Sequence, residues 1–119
     1  MLVYIKKSFN DSKSKLSAAD GKRVDKTIER LRQNPANPGL NVEALKTNRD
    51  FSSIRVNKSI RVIFFTRKDD IYLVYVGQHD EAYHWGQLHK RDETIGDGII
   101  ILPDNDDTEP TPTEPLPIK

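Results

Sequence analysis

Among its 119 residues the chain has no cysteine, so neither disulfides nor thiolate metal sites hold it together. A reducing, cytoplasmic setting is the natural expectation. No apolar run approaches the ~20 residues needed to span a bilayer, so no membrane partner is expected. The opening MLVYIKKSFN places its charges after its apolar residues, the reverse of a secretory signal. The chain also lacks GxGxxG, GxSxG and any GxxxxGK followed by Ser or Thr. Nucleotide-binding and hydrolase readings therefore have no support from motifs. His79, His84 and His89 are spaced by five, which spreads them around a helix instead of placing two on one zinc-binding face. Neither metal nor cofactor is expected, and there is no internal repeat.

What the chain does have is a divided charge. Its formal net charge of +1 conceals a basic stretch, residues 1–91, with 18 Lys plus Arg against 10 Asp plus Glu, a net of +8. Residues 92–119 hold 1 against 8, a net of −7. A basic domain of this size favours polyanionic partners, because cations that neutralise phosphates release counterions; the plainer reading is a basic surface that serves solubility. From Pro103 the segment PDNDDTEPTPTEPLPIK carries five of the seven prolines and almost no apolar residues. It cannot bury enough surface to offset ordering entropy, and is expected to be a disordered acidic tail or linker, 103–119, after a domain of residues 1–102.

Periodicity places the elements. Residues 1–6 are rich in β-prone side chains and read as a strand. Residues 9–15 are a short helix candidate with Asn10 or Asp11 as cap. Residues 17–33 are a stronger one: Ser17-Ala-Ala-Asp20 suits an N-cap, and Val24, Ile28 and Leu31 form one apolar face. Asn34-Pro35 ends it, since the residue before proline avoids the α region. Its other side is basic, with Lys22, Arg23, Lys26, Arg30 and Arg32. Residues 35–49 form a loop pinned by Leu40, Val42 and Leu45. Residues 51–56, 60–66 and 71–77 are strands whose short connections permit only antiparallel hairpins. A closing helix over 80–90, interrupted at Gly86, and an edge strand or packing clip at 99–102 complete an α+β chain.

Candidate chemistry lies in and after the hairpins. Arg55 stands in Ser53-Ile54-Arg55-Val56-Asn57 and Arg61 in Ile60-Arg61-Val62-Ile63. If the turn takes three residues, 57–59, the two arginines lie directly opposite on one face, where like charges are destabilising. Their tolerance would suit a phosphate, which matches the planar fork of guanidinium donors. A two-residue turn would separate them, and solvated arginines on an open face are the plainer reading. Next comes Gly77-Gln78-His79-Asp80-Glu81-Ala82-Tyr83-His84-Trp85. An imidazole moves protons near neutral pH, and Tyr83, one helical turn on, would share its face. An aromatic there can stack on a base. Alternatively His79 and Asp80 merely cap the helix while Tyr83 and Trp85 pack inward; for Trp85 the packing role is preferred.

Together these residues resemble the RelE/ParE superfamily of toxins. The resemblance covers about residues 1–91 and is sharpest over 51–64, FSSIRVNKSIRVIF, and 76–83, VGQHDEAY. It implies a RelE-like β-α-α-β-β-β core, an antiparallel meander with two helices packed on one face and a short C-terminal helix. It also implies a type II toxin that cuts messenger RNA on the ribosome without metal, through ribose 2′-hydroxyl attack on the adjacent phosphate, and that an antitoxin protein neutralises. Carried over, Arg61 steadies the scissile phosphate, His79 is general acid or base, and Tyr83 orients or stacks the substrate. Arg55 contacts phosphate, with Lys58 beside it. The ParE branch shares the fold but targets DNA gyrase. The same stretches are also similar to RelE-like domains at the N-terminus of superfamily 1 helicases, so a catalytically inactive binding or regulatory domain, with the tail as linker, is the alternative.

Overall fold

The computed structural model describes residues 2–46 and 48–89, with the backbone alone for 100–102. The expected acidic tail, 103–119, lies outside the described residues. The chain runs β1 (Val3–Ile5), α1 (Lys7–Lys13), α2 (Ala18–Gln33), a 3-10 turn (Pro38–Leu40), β2 (Glu43–Ala44), β3 (Ser52–Arg55), β4 (Ile60–Arg67), β5 (Asp70–Gln78), α3 (His79–Leu88) and β6 (Ile100–Leu102). The strands form one mixed sheet in the order β2-β3-β4-β5-β1-β6. Its centre is the expected meander, β3, β4 and β5, joined antiparallel. β1 pairs parallel to β5, the α1–α2 segment carrying the chain from β1 over to the far edge of the sheet where β2 and the meander begin, and β6 lies antiparallel on the outer side of β1.

Alternation along β4 divides the core in two. Ile60, Val62 and Phe64 face one side and join Phe9, Val24, Ile28 and Leu31 from α1 and α2. Ile63 and Phe65 face the other and join Phe51, Leu45 and Ala82, with Trp85 packed at the margin. Two helices thus cover one face and α3 the opposite one. Burial on both faces is why β4 and β5 read as near-continuous apolar runs. Ser12 couples α1 to the sheet: its buried hydroxyl lies 2.9 Å from the Phe9 carbonyl and accepts from the Val76 N–H at 3.0 Å. Among the described residues no helix is long and apolar enough to cross a membrane.

Several expectations hold in detail. Ser17 caps α2, its Oγ accepting from the Asp20 N–H at 3.1 Å, and Val24, Ile28 and Leu31 are buried. Others are corrected. Neither Asn10 nor Asp11 caps α1; the helix starts at Lys7, and its N-cap, Lys6, makes no side-chain cap bond. The Lys6 N–H still donates to the Leu73 carbonyl as a continuation of β1, so the chain passes straight from sheet to helix. Asp11 lies inside the helix, paired with Lys7 at 2.9 Å. Leu40 and Leu45 are buried pins, but Val42 is 47% exposed, because it enters a two-residue edge strand that is itself exposed. Gly86 does not interrupt α3, which runs unbroken to Leu88. A Cβ at Gly86 would overlap Leu45 Cδ1, so glycine there answers to packing.

Candidate functional site

The three-residue turn is the one formed. Arg55 and Arg61 are cross-strand partners, in one row with Gly77. Asn57 builds the turn: its Oδ1 accepts from the Ser59 and Ile60 N–H groups, both at 2.8 Å. Arg61 Nη1 donates to the carbonyls of Asn57 (2.7 Å) and Ile60 (3.1 Å). Those carbonyl dipoles lessen the repulsion between the two guanidiniums. Arg55 is exposed and makes no hydrogen bond or ion pair among the described residues. With Asn41 and Glu43 the two arginines line a cavity of about 110 Å³. The paired residues 43 and 53 place Glu43 on the same sheet face as the arginines, one row along.

α3 covers the rest of that face. Its first residue is tied to the arginine turn, the His79 N–H donating to the Ser59 carbonyl at 2.6 Å. Gln78 is the N-cap and no side chain caps the helix, so His79 is not a cap. The His79 and Tyr83 rings lie 4.3 Å apart at 36°, one helical turn along a shared face. His79 Nδ1 is 3.0 Å from Asp80 Oδ1, which turns the opposite ring nitrogen away from that carboxylate, and its side chain is 45% exposed. The Tyr83 hydroxyl is 3.3 Å from that of buried Ser53, which anchors the phenol over β3. His79 and Tyr83 line a second, open cavity of about 980 Å³, with Lys46, Arg49 and Glu43 across from them. The sequence-derived residues therefore form two pairs, Arg55 with Arg61 and His79 with Tyr83, in adjoining cavities that share Glu43. Lys58 sits exposed on the turn and lines neither.

Two further groups frame the site. Gly77 lacks a Cβ where one would come within 2.9 Å of Glu81 Oε1 and 3.1 Å of the Tyr75 ring, so the Glu81 carboxylate reaches over the end of the arginine row. Burial, and then the Glu81 charge, push the Tyr75 phenol up from its ordinary value. Trp85 is half-buried, stacked between Tyr75 (5.2 Å) and His89 (4.0 Å) and tilted against Phe51 (5.6 Å), so its packing role is borne out. Among the described residues no three His, Asp or Glu side chains are grouped to hold a metal ion.

Glu43, Lys46, Arg49, Ser53, Glu81 and Gln87 were not singled out from the sequence. Only the basic Lys46-Thr47-Asn48-Arg49 run could have signalled part of this wall, and it reads as an ordinary loop. The basic side of α2, by contrast, is partly neutralised nearby: Arg23 pairs with Asp20 (3.1 Å) and Arg32 with Glu29 (3.0 Å). Lys46, Arg49 and Arg55 have no ion pair among the described residues.

A β-α-α-β-β-β core, here enlarged at both sheet edges, is the fold of the RelE-like toxin superfamily. No family model matches the sequence, and no curated protein matches it significantly. Solved structures do. A copper-bound mutant toxin from Helicobacter pylori is 27% identical, with a TM-score of 0.56 over 68% of this chain and 98% of that one. The RelB-RelE antitoxin-toxin complex from Methanococcus jannaschii is 18% identical, with a TM-score of 0.57 over 68% of this chain and 95% of that one. A YoeB/ParE toxin from Agrobacterium tumefaciens is 15% identical, with a TM-score of 0.55 over 66% of this chain and 99% of that one. All three are toxins, and the second is solved together with its antitoxin.

Proposed function

We propose that this chain is a RelE-type toxin, a metal-independent endoribonuclease that cuts messenger RNA on the ribosome and is held inactive by an antitoxin. The observation that carries the reading is the adjacency of two arginines, an imidazole–phenol pair and one carboxylate on a single face of the sheet. Cleavage needs a proton removed from the ribose 2′-hydroxyl as its oxygen bonds to phosphorus. It needs a proton delivered to the departing 5′-oxygen as the phosphorus–oxygen bond breaks, leaving a 2′,3′-cyclic phosphate. In this reading Glu43, which lines both cavities, accepts the proton from the 2′-hydroxyl, and His79 delivers the one taken up by the departing 5′-oxygen. Arg55 and the remaining donors of Arg61 stabilise the charge that develops on the phosphoryl oxygens. Tyr83, held by Ser53, orients or stacks the substrate. Lys46 and Arg49, which have no ion pair among the described residues, supply positive charge that an acidic antitoxin segment would cover.

One observation favours a second reading. Arg61 spends Nη1 on the carbonyls of its own turn, a structural duty that a non-catalytic RelE-like binding domain or ParE-like inhibitor would also require. Inducible expression separates the two. A ribonuclease arrests growth and leaves fragmented transcripts, and His79→Ala or Arg61→Ala relieves both while the purified variants keep their far-UV spectra. Growth arrest with intact transcripts supports the inhibitor. Neither effect from the wild type removes the toxin reading.

A further inference from the structure

The larger cavity continues well past the imidazole. Its helical wall is a stripe of α3, from His79 and Asp80 through Tyr83 and His84 to Gln87. The opposite wall is β2 with the loop after it, which contributes Lys46 and Arg49. The two walls are locked together. Asn48 Nδ2 donates to the carbonyls of Gly86 and His89, both at 2.9 Å, and Leu45 packs where Gly86 has no Cβ. The loop is braced in turn by the Leu45 N–H, which donates to the Phe51 carbonyl at 3.0 Å, and by the Asp50 N–H on Asn48 Oδ1 at 3.1 Å. The spacing of the groove is therefore built into the fold.

At ~1.5 Å per residue, Gln87 lies ~12 Å along the axis from His79, roughly three nucleotide steps at a stacked rise of ~3.4 Å. The groove volume of about 980 Å³ exceeds what a single reacting phosphate and its ribose require. Its far end is furnished differently from the reactive end, with an exposed amide and an exposed imidazole facing two cations that have no ion pair among the described residues.

Resting on the ribonuclease reading, we infer that this far end is a base-reading subsite, in which Gln87 selects one nucleotide within about three of the cut while Lys46 and Arg49 hold the phosphates between. A glutamine amide presents a donor beside an acceptor, the complement of the N6 and N7 edge of adenine, and single-stranded RNA leaves that edge open. His84, one helical turn before Gln87 in sense, offers a flat face against which the base can lie. Adenine is the base selected.

The test maps transcript ends after induction of the wild type, Gln87→Ala and Gln87→Glu, alongside purified-protein binding to an oligoribonucleotide across a salt series. The wild type should show an adenine bias at one fixed position from the cut. Gln87→Ala should lower that bias roughly 5- to 150-fold, the range for one good bidentate contact. Gln87→Glu, whose carboxylate can only accept, should move the preference toward cytosine. Lys46→Ala should reduce the salt slope of binding by roughly 0.7 for the phosphate it releases. Wild-type cleavage whose cut-site distribution is identical in all three proteins overturns the subsite and leaves the ribonuclease standing. A wild type that cuts no transcript overturns both.

Discussion

Replacing Gly86 by alanine sets two well-measured effects against each other, and the structure decides the sign. Removing a glycine from a helix interior ordinarily stabilises by ~1 kcal/mol. Here the new Cβ would overlap Leu45 Cδ1 and come within 4.0 Å of Phe51 Cδ2. Leu45 is 1% exposed and Phe51 0%, so neither can retreat into solvent. Overpacking of a filled core costs ~1–3 kcal/mol, and an overlap this deep with a buried methyl that has no solvent to turn into belongs in the upper half of that range. The expected balance is a net loss of about 1–2 kcal/mol. Leu45→Ala alone should cost about 2–5 kcal/mol by opening a cavity. In that background Gly86→Ala should turn stabilising, since the new methyl enters vacated space. The double-mutant cycle should therefore report a coupling of about 2–3 kcal/mol. Urea denaturation of the four proteins, followed by circular dichroism at constant m-value, measures it. If Gly86→Ala by itself makes the protein more stable, α3 does not lie against Leu45 as described. The wall that positions Lys46 and Arg49 would then be misplaced too.

Two other outcomes follow from buried polar groups. Ser12→Ala leaves the Val76 N–H without its acceptor in a dry setting and should destabilise by about 1–3 kcal/mol; an unchanged urea midpoint would refute that role. The Tyr72 and Tyr75 phenols are both raised above their ordinary 10.0, by burial first, and then by Tyr4 for Tyr72 and by Glu81 for Tyr75. Each folded value exceeds the unfolded one, so the stability is fully present below about pH 10 and drains away as pH rises through the folded values. Glu81→Gln should let Tyr75 ionise at lower pH, and an unshifted phenolate absorbance curve would argue against Glu81 lying beside that ring.

Local signals carried much of the fold. Ser17 before a 3.6-residue apolar period announced α2, and three β-rich runs with short polar connections required an antiparallel meander. The Arg55–Arg61 pairing was legible only conditionally, because a one-residue change in turn length reverses the face of every side chain that follows. Asn57 resolves it by closing the turn with two side-chain hydrogen bonds. The His79–Tyr83 pair was legible because both residues lie within one helical turn. The opposite wall was not, since Glu43, Lys46 and Arg49 lie more than 29 residues from His79 in sequence and meet it only across the sheet.

By itself, then, the amino-acid order determined what depends on neighbours along the chain: most of the strands and helices, the hairpins, the basic character of residues 1–91, and the His79–Tyr83 pair. Tertiary structure decided which helix covers which face, that β1 lies between β5 and β6, and that Gly86 is a contact instead of a break. It also brought the two pairs to either side of Glu43. The physical reason is that periodicity reports which side of an element is apolar, while the identity of what covers that side is set by packing between residues distant in sequence, which no local pattern encodes.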